Sequence, residues 1–281
     1  MRRQKSEGRM KNGTALVAIA CSMFFILRSS IAQSILTAPG LASFGTNAAT
    51  GGGGGGDDLT GLSLRYKADD ITGSDGDQIL TWPDSGGGGH DLTQPSGSLA
   101  PILKVGFVNG HRAAQFDGTQ QYVSGSVAPT LIGTAQATAI FIVMKQNGAT
   151  ANNGALHFDH SDVIDIFATF SDVLYFDWHD NVEHPSGGRV HASQPTGWDD
   201  AWHVVEVHRN GANQSILVDG TTLISATDAA GSLDQTGTGS LFLGQVGGIY
   251  LGGYIAEVRI YNSNKDGTNI RAALKSTYGT P

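Results

Sequence analysis

Cysteine is nearly absent from this 281-residue sequence: the only one is Cys21, inside an N-terminal apolar run. A chain trimmed of that region has no internal disulfide, so its fold must rest on its core. Charge is also sparse, at 15% of residues, and basic residues are the scarcer sign, 17 against 25 acidic. Phosphate binding is driven by Lys and Arg, so this balance excludes nucleic acid as a natural partner. Long apolar runs are missing too. The longest, Ala15 to Leu27, has thirteen residues, short of the ~20 that a spanning helix needs. What is abundant is glycine, 40 residues in all, about twice ordinary usage. Glycine inside a helix costs ~1 kcal/mol relative to alanine, which argues against a helical bundle.

The N-terminus has the three parts of a secretory signal peptide. Arg2, Arg3, Lys5, Arg9 and Lys11 precede the thirteen-residue run, and Ser30 and Ala32 supply a small-x-small pattern for a cut after Ala32. Residues 1–32 are therefore expected to be a removable leader, with an uncleaved anchor or a later start at Met10 as alternatives. A mature form without a stable membrane span, secreted or held at the cell surface, is implied. The first 32 residues hold six of the 17 basic residues and one acidic one, so their removal leaves a net charge of −13. Residues 33–60, with six successive glycines from Gly51 to Gly56, read as a flexible arm, because polyglycine does not repay its backbone entropy.

From residue 61 to 281 the texture changes to short runs rich in Val, Ile, Phe and Tyr, divided by Gly, Asn and Asp. Runs at Leu62–Lys67, Ala137–Lys145, Val163–Phe170, Val173–Trp178, Trp202–Arg209, Gln214–Val218 and Tyr254–Tyr261 are typical. This is the pattern of an all-β protein, a sandwich or a barrel. Alternation places His203, Val205, Val207 and Arg209 on one strand face, opposite Trp202, Val204, Glu206 and His208. The same rule groups Ile255, Glu257, Arg259 and Tyr261 against Ala256, Val258 and Ile260, with Glu257 and Arg259 placed to pair. Asn210-Gly211 and Asp219-Gly220 mark tight hairpins. One short C-terminal helix is expected from Thr268 to Thr277, packed on a sandwich edge, since Ile270, Ala273, Leu274 and Tyr278 recur at helical spacing.

Several ordered motifs resemble a known group. Leu64 to Asp69, Trp82-Pro-Asp-Ser-Gly86 leading to His90-Asp91, Phe116-Asp-Gly118 to Tyr122-Val123, Val218-Asp-Gly220 and Gly253 to Asn262 resemble laminin G-like domains of the concanavalin A-like lectin and glucanase superfamily. The resemblance implies a jelly-roll β-sandwich of two antiparallel sheets over about 220 residues, and that fold carries lectins, enzymes, adhesion modules and structural parts alike. It also raises calcium as a cofactor, because many such domains carry one.

Residues 157–191 concentrate the polar chemistry, with five of the nine histidines and seven acids. Asp159, Asp162, Asp177 and Asp180 are the candidate oxygen ligands for Ca²⁺; no spacing is diagnostic of zinc, and a solvated acidic face is the plain alternative. A sugar needs an aromatic face and fixed polar partners. Trp178 with Asp177, His179, Asp180 and Asn181 is the first candidate set, and Trp198 the second. Trp82 and Trp202 are assigned to the core. Glycosidases need two facing carboxylates, and Asp162 and Asp165, three apart, point to opposite faces of a regular strand. The expected function is a non-catalytic carbohydrate-binding module whose partner is a glycan or polysaccharide. The alternatives are a virion or cell-envelope component with protein partners, and a polysaccharide-cleaving enzyme.

Overall fold

The computed structural model describes residues 57–148, 152–182, 185–227 and 229–281. The expected leader at 1–32, Cys21, and the glycine-rich stretch as far as Gly56 lie outside the described residues, as do Glu183 and His184.

Two antiparallel sheets face each other. The first runs in the order β14 (Thr221–Ala226), β13 (Asn213–Val218), β12 (Trp202–Asn210), β7 (Ala137–Gln146), β18 (Gly252–Tyr261), β5 (His111–Asp117) and β4 (Ile102–Val108). Strand β1 (Leu62–Lys67) joins it along the second half of β18. The second sheet runs β11 (Arg189–Ser193), β10 (Val173–His179), β9 (Val163–Phe170), β8 (Asn152–Asp159), β15 (Gly239–Leu243), β6 (Val123–Val127), β3 (Leu92–Thr93) and β2 (Thr81–Trp82). A short ribbon pairs β16 (Gln245–Val246) with β17 (Ile249–Tyr250). One turn of helix, α1 (Pro129–Ile132), precedes β7, and α2 (Gly267–Tyr278) closes the chain.

The core between the sheets is built by alternation. Ile140, Ile142 and Met144 from β7, Val205 and Val207 from β12, and Val258 and Ile260 from β18 meet Leu156, Phe158, Ile164, Ile166, Leu174 and Phe176 of the second sheet. Strand β7 breaks simple alternation because it is buried on both faces. Its other side, Ala139, Phe141 and Val143, forms a second apolar cluster with Val204, Ala256 and Tyr261. Helix α2 covers that cluster with Ile270, Leu274 and Tyr278, four residues apart. The helix therefore lies on the outer face of the first sheet rather than at an edge, because that face is apolar and must be shielded from water. Its start is capped by Asp266, which accepts from Thr268 N at 3.0 Å, and its end by Gly279 at φ 65°.

Two expectations change in detail. A register shift between Ile255 and Glu257 turns Ile255 inward with Val258 and Ile260, and Ala256 outward with Tyr261. The predicted grouping failed at those two residues because a bulge adds one residue to the count. Residues 57–60, grouped with the arm by composition, are tied to the sandwich: Asp57 pairs with Arg259, Asp58 lies 3.3 Å from Lys265 Nζ, and the Asp58 carbonyl accepts from Tyr261 OH at 2.8 Å. Glu257 joins three elements, accepting from Arg65 Nε at 2.7 Å, Arg259 Nε at 2.6 Å and Tyr278 OH at 2.7 Å. Among the described residues, no helix is long and apolar enough to cross a membrane.

Candidate functional site on the second sheet

Alternation that sends apolar side chains inward sends a row of polar ones outward. Along the outer face of the second sheet, directly opposed residues read Ser124, Phe242, His157, Asp165, Asp177 and Arg189, one from each of β6, β15, β8, β9, β10 and β11. Their chain neighbours Leu241, Phe158, Ile166, Phe176 and Val190 point into the core. From Phe242 to Arg189 the row crosses four strand spacings, ~19 Å at ~4.8 Å each.

The row is internally organised. His157 Nδ1 lies 2.5 Å from Asp165 Oδ1, which holds the ring in one orientation, and the ring stacks on Phe242 at 5.6 Å. Arg189 grips Asp177 with two bonds, Nε to Oδ1 at 2.7 Å and an Nη to Oδ2 at 2.6 Å. Such forked pairs fix both partners in direction as well as distance. Aromatic rings stand at both ends. Tyr122 sits 5.8 Å from Phe242 and 6.4 Å from Tyr250 at one end. At the other, Tyr175 lies under the Arg189 guanidinium at 4.8 Å, with Phe170 at 6.1 Å and His191 at 5.3 Å. Phe170, Tyr175, Asn181 and Arg189 line a cavity of about 220 Å³ there.

The hairpin that closes this end is held from behind. Gln214 Nε2 donates to the Phe176 carbonyl at 3.0 Å and the Gly188 carbonyl at 2.7 Å. Gly188 is required by space: a Cβ there would stand 1.6 Å from the Trp178 carbonyl oxygen.

The residues expected to contact sugar divide between the two faces. Trp178 is 0% exposed, packed between the sheets near Phe176. The reason is the pleat: Asp177 and His179 face outward, so the residue between them faces inward. Trp198 is 2% exposed, stacked on His203 at 4.9 Å and donating to Gln146 Oε1 at 3.2 Å. Its acidic neighbours turn away, Asp199 to Gln146 Nε2 and Asp200 to Gly148 N, both at 3.0 Å. Neither indole can stack on a ligand, which corrects the expectation for both. Asn181 lines the cavity, and Asp177 belongs to the row. His179 turns instead toward Asp162, its Nδ1 2.8 Å from Oδ1 at an ion-pair distance but outside hydrogen-bonding direction. Asp180 caps the hairpin, accepting from Val182 N at 3.1 Å and Gly188 N at 2.9 Å.

The calcium candidates do not converge. Asp162 is taken by His179 and the amide of Asp234, Asp177 by Arg189, Asp180 by two backbone amides, and Asp159 is exposed at the end of β8. Among the described residues, no three His, Cys, Asp or Glu side chains gather as a metal site would require. These four carboxylates are thus not brought together as the candidate calcium ligands. Asp165 and Asp177, from adjacent strands, do face each other, an opposition that spacing within one segment concealed. Asp177 is fully buried beneath Arg189, so it offers no free oxygen to an anomeric carbon.

Sequence reasoning missed His157, Arg189, Phe242 and Tyr175 as a set, since they come from four strands and only the register assembles them. It also assigned Trp202 to the core; that indole is half-buried on the outer face of the first sheet, packed against the second apolar cluster, while the other three are sealed in the interior.

The fold defines the class: an all-β sandwich of two antiparallel sheets. Within that class the comparisons are structural. The chain is similar to domain 4 of the extracellular arabinanase AbnA from Geobacillus stearothermophilus, solved in complex with arabinotriose (TM-score 0.53, 15% identity, 75% of this chain and 96% of that one). It is similar to a botulinum neurotoxin DC binding domain in complex with rat synaptotagmin II (TM-score 0.54, 11% identity, 78% and 52%). A serotype D ligand-binding domain in complex with N-acetylneuraminic acid is comparable (TM-score 0.55, 8% identity, 79% and 56%). This chain spans only about half the length of the two neurotoxin domains. No family model and no curated protein matches the sequence. Identities this low speak for the fold alone.

Proposed function

We propose that residues 57–281 form a non-catalytic carbohydrate-binding module of the laminin G-like kind, displayed outside the cell, whose glycan-contacting surface is the outer face of the second sheet. The observation that carries this reading is the six-strand row from Ser124 to Arg189, with rings at both ends. Hydroxyl groups are recognised by fixed donors and acceptors, and the row offers His157, Asp165 and Arg189 in set positions. Sugar C–H faces are recognised by aromatic faces, which Tyr122, Phe242 and Tyr175 supply. The arabinotriose and N-acetylneuraminic acid complexes of the similar domains support the ligand class. The clamped, buried Asp177 supports a binding role over cleavage, and the basic start followed by a thirteen-residue apolar run supports export.

A protein partner is the second reading, favoured by exposed Phe170 and Val182 beside the cavity and by the synaptotagmin complex of one similar domain. A glycan array probed with residues 57–281 separates them. Binding to defined glycans that the double substitution Phe242→Ala and Tyr175→Ala weakens supports the carbohydrate reading. An array without signal removes it and leaves the protein partner.

A further inference from the structure

The outer face of the first sheet has a second aromatic surface, beyond the edge of α2. Trp202, Lys145, Tyr254 and Gln115 are opposed in register on four adjacent strands, β12, β7, β18 and β5. The bulged hairpin between β4 and β5 adds Phe107, which is 41% exposed, 4.5 Å from the Tyr254 ring and 6.4 Å from Trp202. The Lys145 ammonium stands 5.7 Å from the Tyr254 centroid. Gln115 continues the surface into a cavity of about 450 Å³ at the end of the sandwich, whose lining includes Asp117, Asn147 and Asn152.

We infer that this surface is a second saccharide-binding site, for neutral sugars, which makes the module two-sided. Two features point to that ligand and not to an apolar one. The rings are interleaved with an ammonium and an amide, so a ligand lying on them meets stacking faces and hydrogen-bond donors at alternate strand positions. The adjoining cavity presents amides where a membrane or protein anchor would need hydrocarbon. The one charged group of the row, Lys145, stands over the Tyr254 ring, and Asp117 is taken by Thr119 and the amides of Gln120 and Gln121, so the cavity offers a ligand neutral amides. Of the three rings Phe107 is the exposed one, and Trp202 and Tyr254 are half-buried against the second apolar cluster.

This inference rests on the carbohydrate reading, and the test separates the two. The four indole N–H signals are followed by NMR while cellotriose, xylotriose, maltotriose and arabinotriose are titrated in turn. Trp82, Trp178 and Trp198 are buried, so Trp202 alone reports on this surface. The expected result is a saturable shift of the Trp202 signal with at least one trisaccharide. That shift persists in the Phe242→Ala, Tyr175→Ala double variant and weakens at least fivefold in Tyr254→Ala or Phe107→Ala. Backbone shifts confined to the second sheet, with Trp202 unmoved, overturn the second site and leave the proposed function standing. Absence of any shift on either face, for these sugars and for glycans taken from the array, overturns both.

Discussion

Replacing Trp178 by alanine tests directly whether the indole belongs to the core or to a binding rim. The side chain is fully buried, near Phe176, and its Cη2 would lie 2.8 Å from a Cβ placed on Gly133. Truncating a buried tryptophan costs ~3–5 kcal/mol, combining lost transfer energy with the cavity left behind. For a domain of this size each kcal/mol lowers the melting temperature by ~2–4 °C, so a fall of roughly 6–20 °C is expected. The indole Nε1 has no hydrogen-bond partner, and such a buried donor costs ~1–3 kcal/mol. Trp178→Phe removes that donor while keeping a ring, so it should lie within ~2 kcal/mol of wild type. Thermal unfolding by circular dichroism reads both variants, and glycan titration of Trp178→Phe should match wild type. An unchanged melting temperature for Trp178→Ala together with lost glycan binding would refute the placement of this indole.

Further predictions concern the supports of the fold. Burial alone would raise the Glu257 pKa, but Arg259 and Arg65 outweigh it and hold the carboxyl below its ordinary value. Its stabilisation is therefore full above the ordinary glutamate range, near ~4.3, and is lost as pH falls through the lower folded value. Glu257→Gln should cost ~3 kcal/mol at neutral pH, and denaturant titrations should show that gap closing under acid; a pH-independent gap would contradict it. Gly188→Ala forces a Cβ against the Trp178 carbonyl and should destabilise by at least ~1–3 kcal/mol, the scale of overpacking; an unchanged unfolding midpoint would count against this close approach. Because the carboxylates Asp159, Asp162, Asp177 and Asp180 do not converge, EDTA should leave glycan binding and melting temperature unchanged. A loss of either that added Ca²⁺ restores would contradict that geometry.

The fold was largely legible in the sequence. Strands at Leu62–Lys67 and Val163–Phe170 match to the residue, and the Asp219-Gly220 turn adopts the positive φ values, 52° and 89°, that its residues imply. Local propensity and alternation act over a few residues, and these elements need nothing more. Strands β4, β6 and β11 escaped because Gly106, Gly125 and the polar Arg189-Val-His-Ala-Ser193 dilute the pattern. The site was less legible, for a different reason. Reading Trp178 with Asp177 and His179 grouped neighbours in the chain, while the pleat separates them onto opposite faces. The row His157, Asp165, Asp177, Arg189 draws on four strands whose register is set by hairpin geometry and core packing. Asp165 shows the limit plainly: its nearest acid in sequence is Asp162, but across the sheet it faces Asp177.

The most direct test of the glycan-binding face is isothermal titration of an array-selected glycan into wild type and into the Phe242→Ala, Tyr175→Ala double variant. Both side chains lie on the outer face, so the variant should melt within a few degrees of wild type. Loss of the two rings, ~1–3 kcal/mol together, should weaken binding at that face by about five- to 150-fold. Unchanged affinity and stoichiometry in a folded double variant would contradict the assignment of this face.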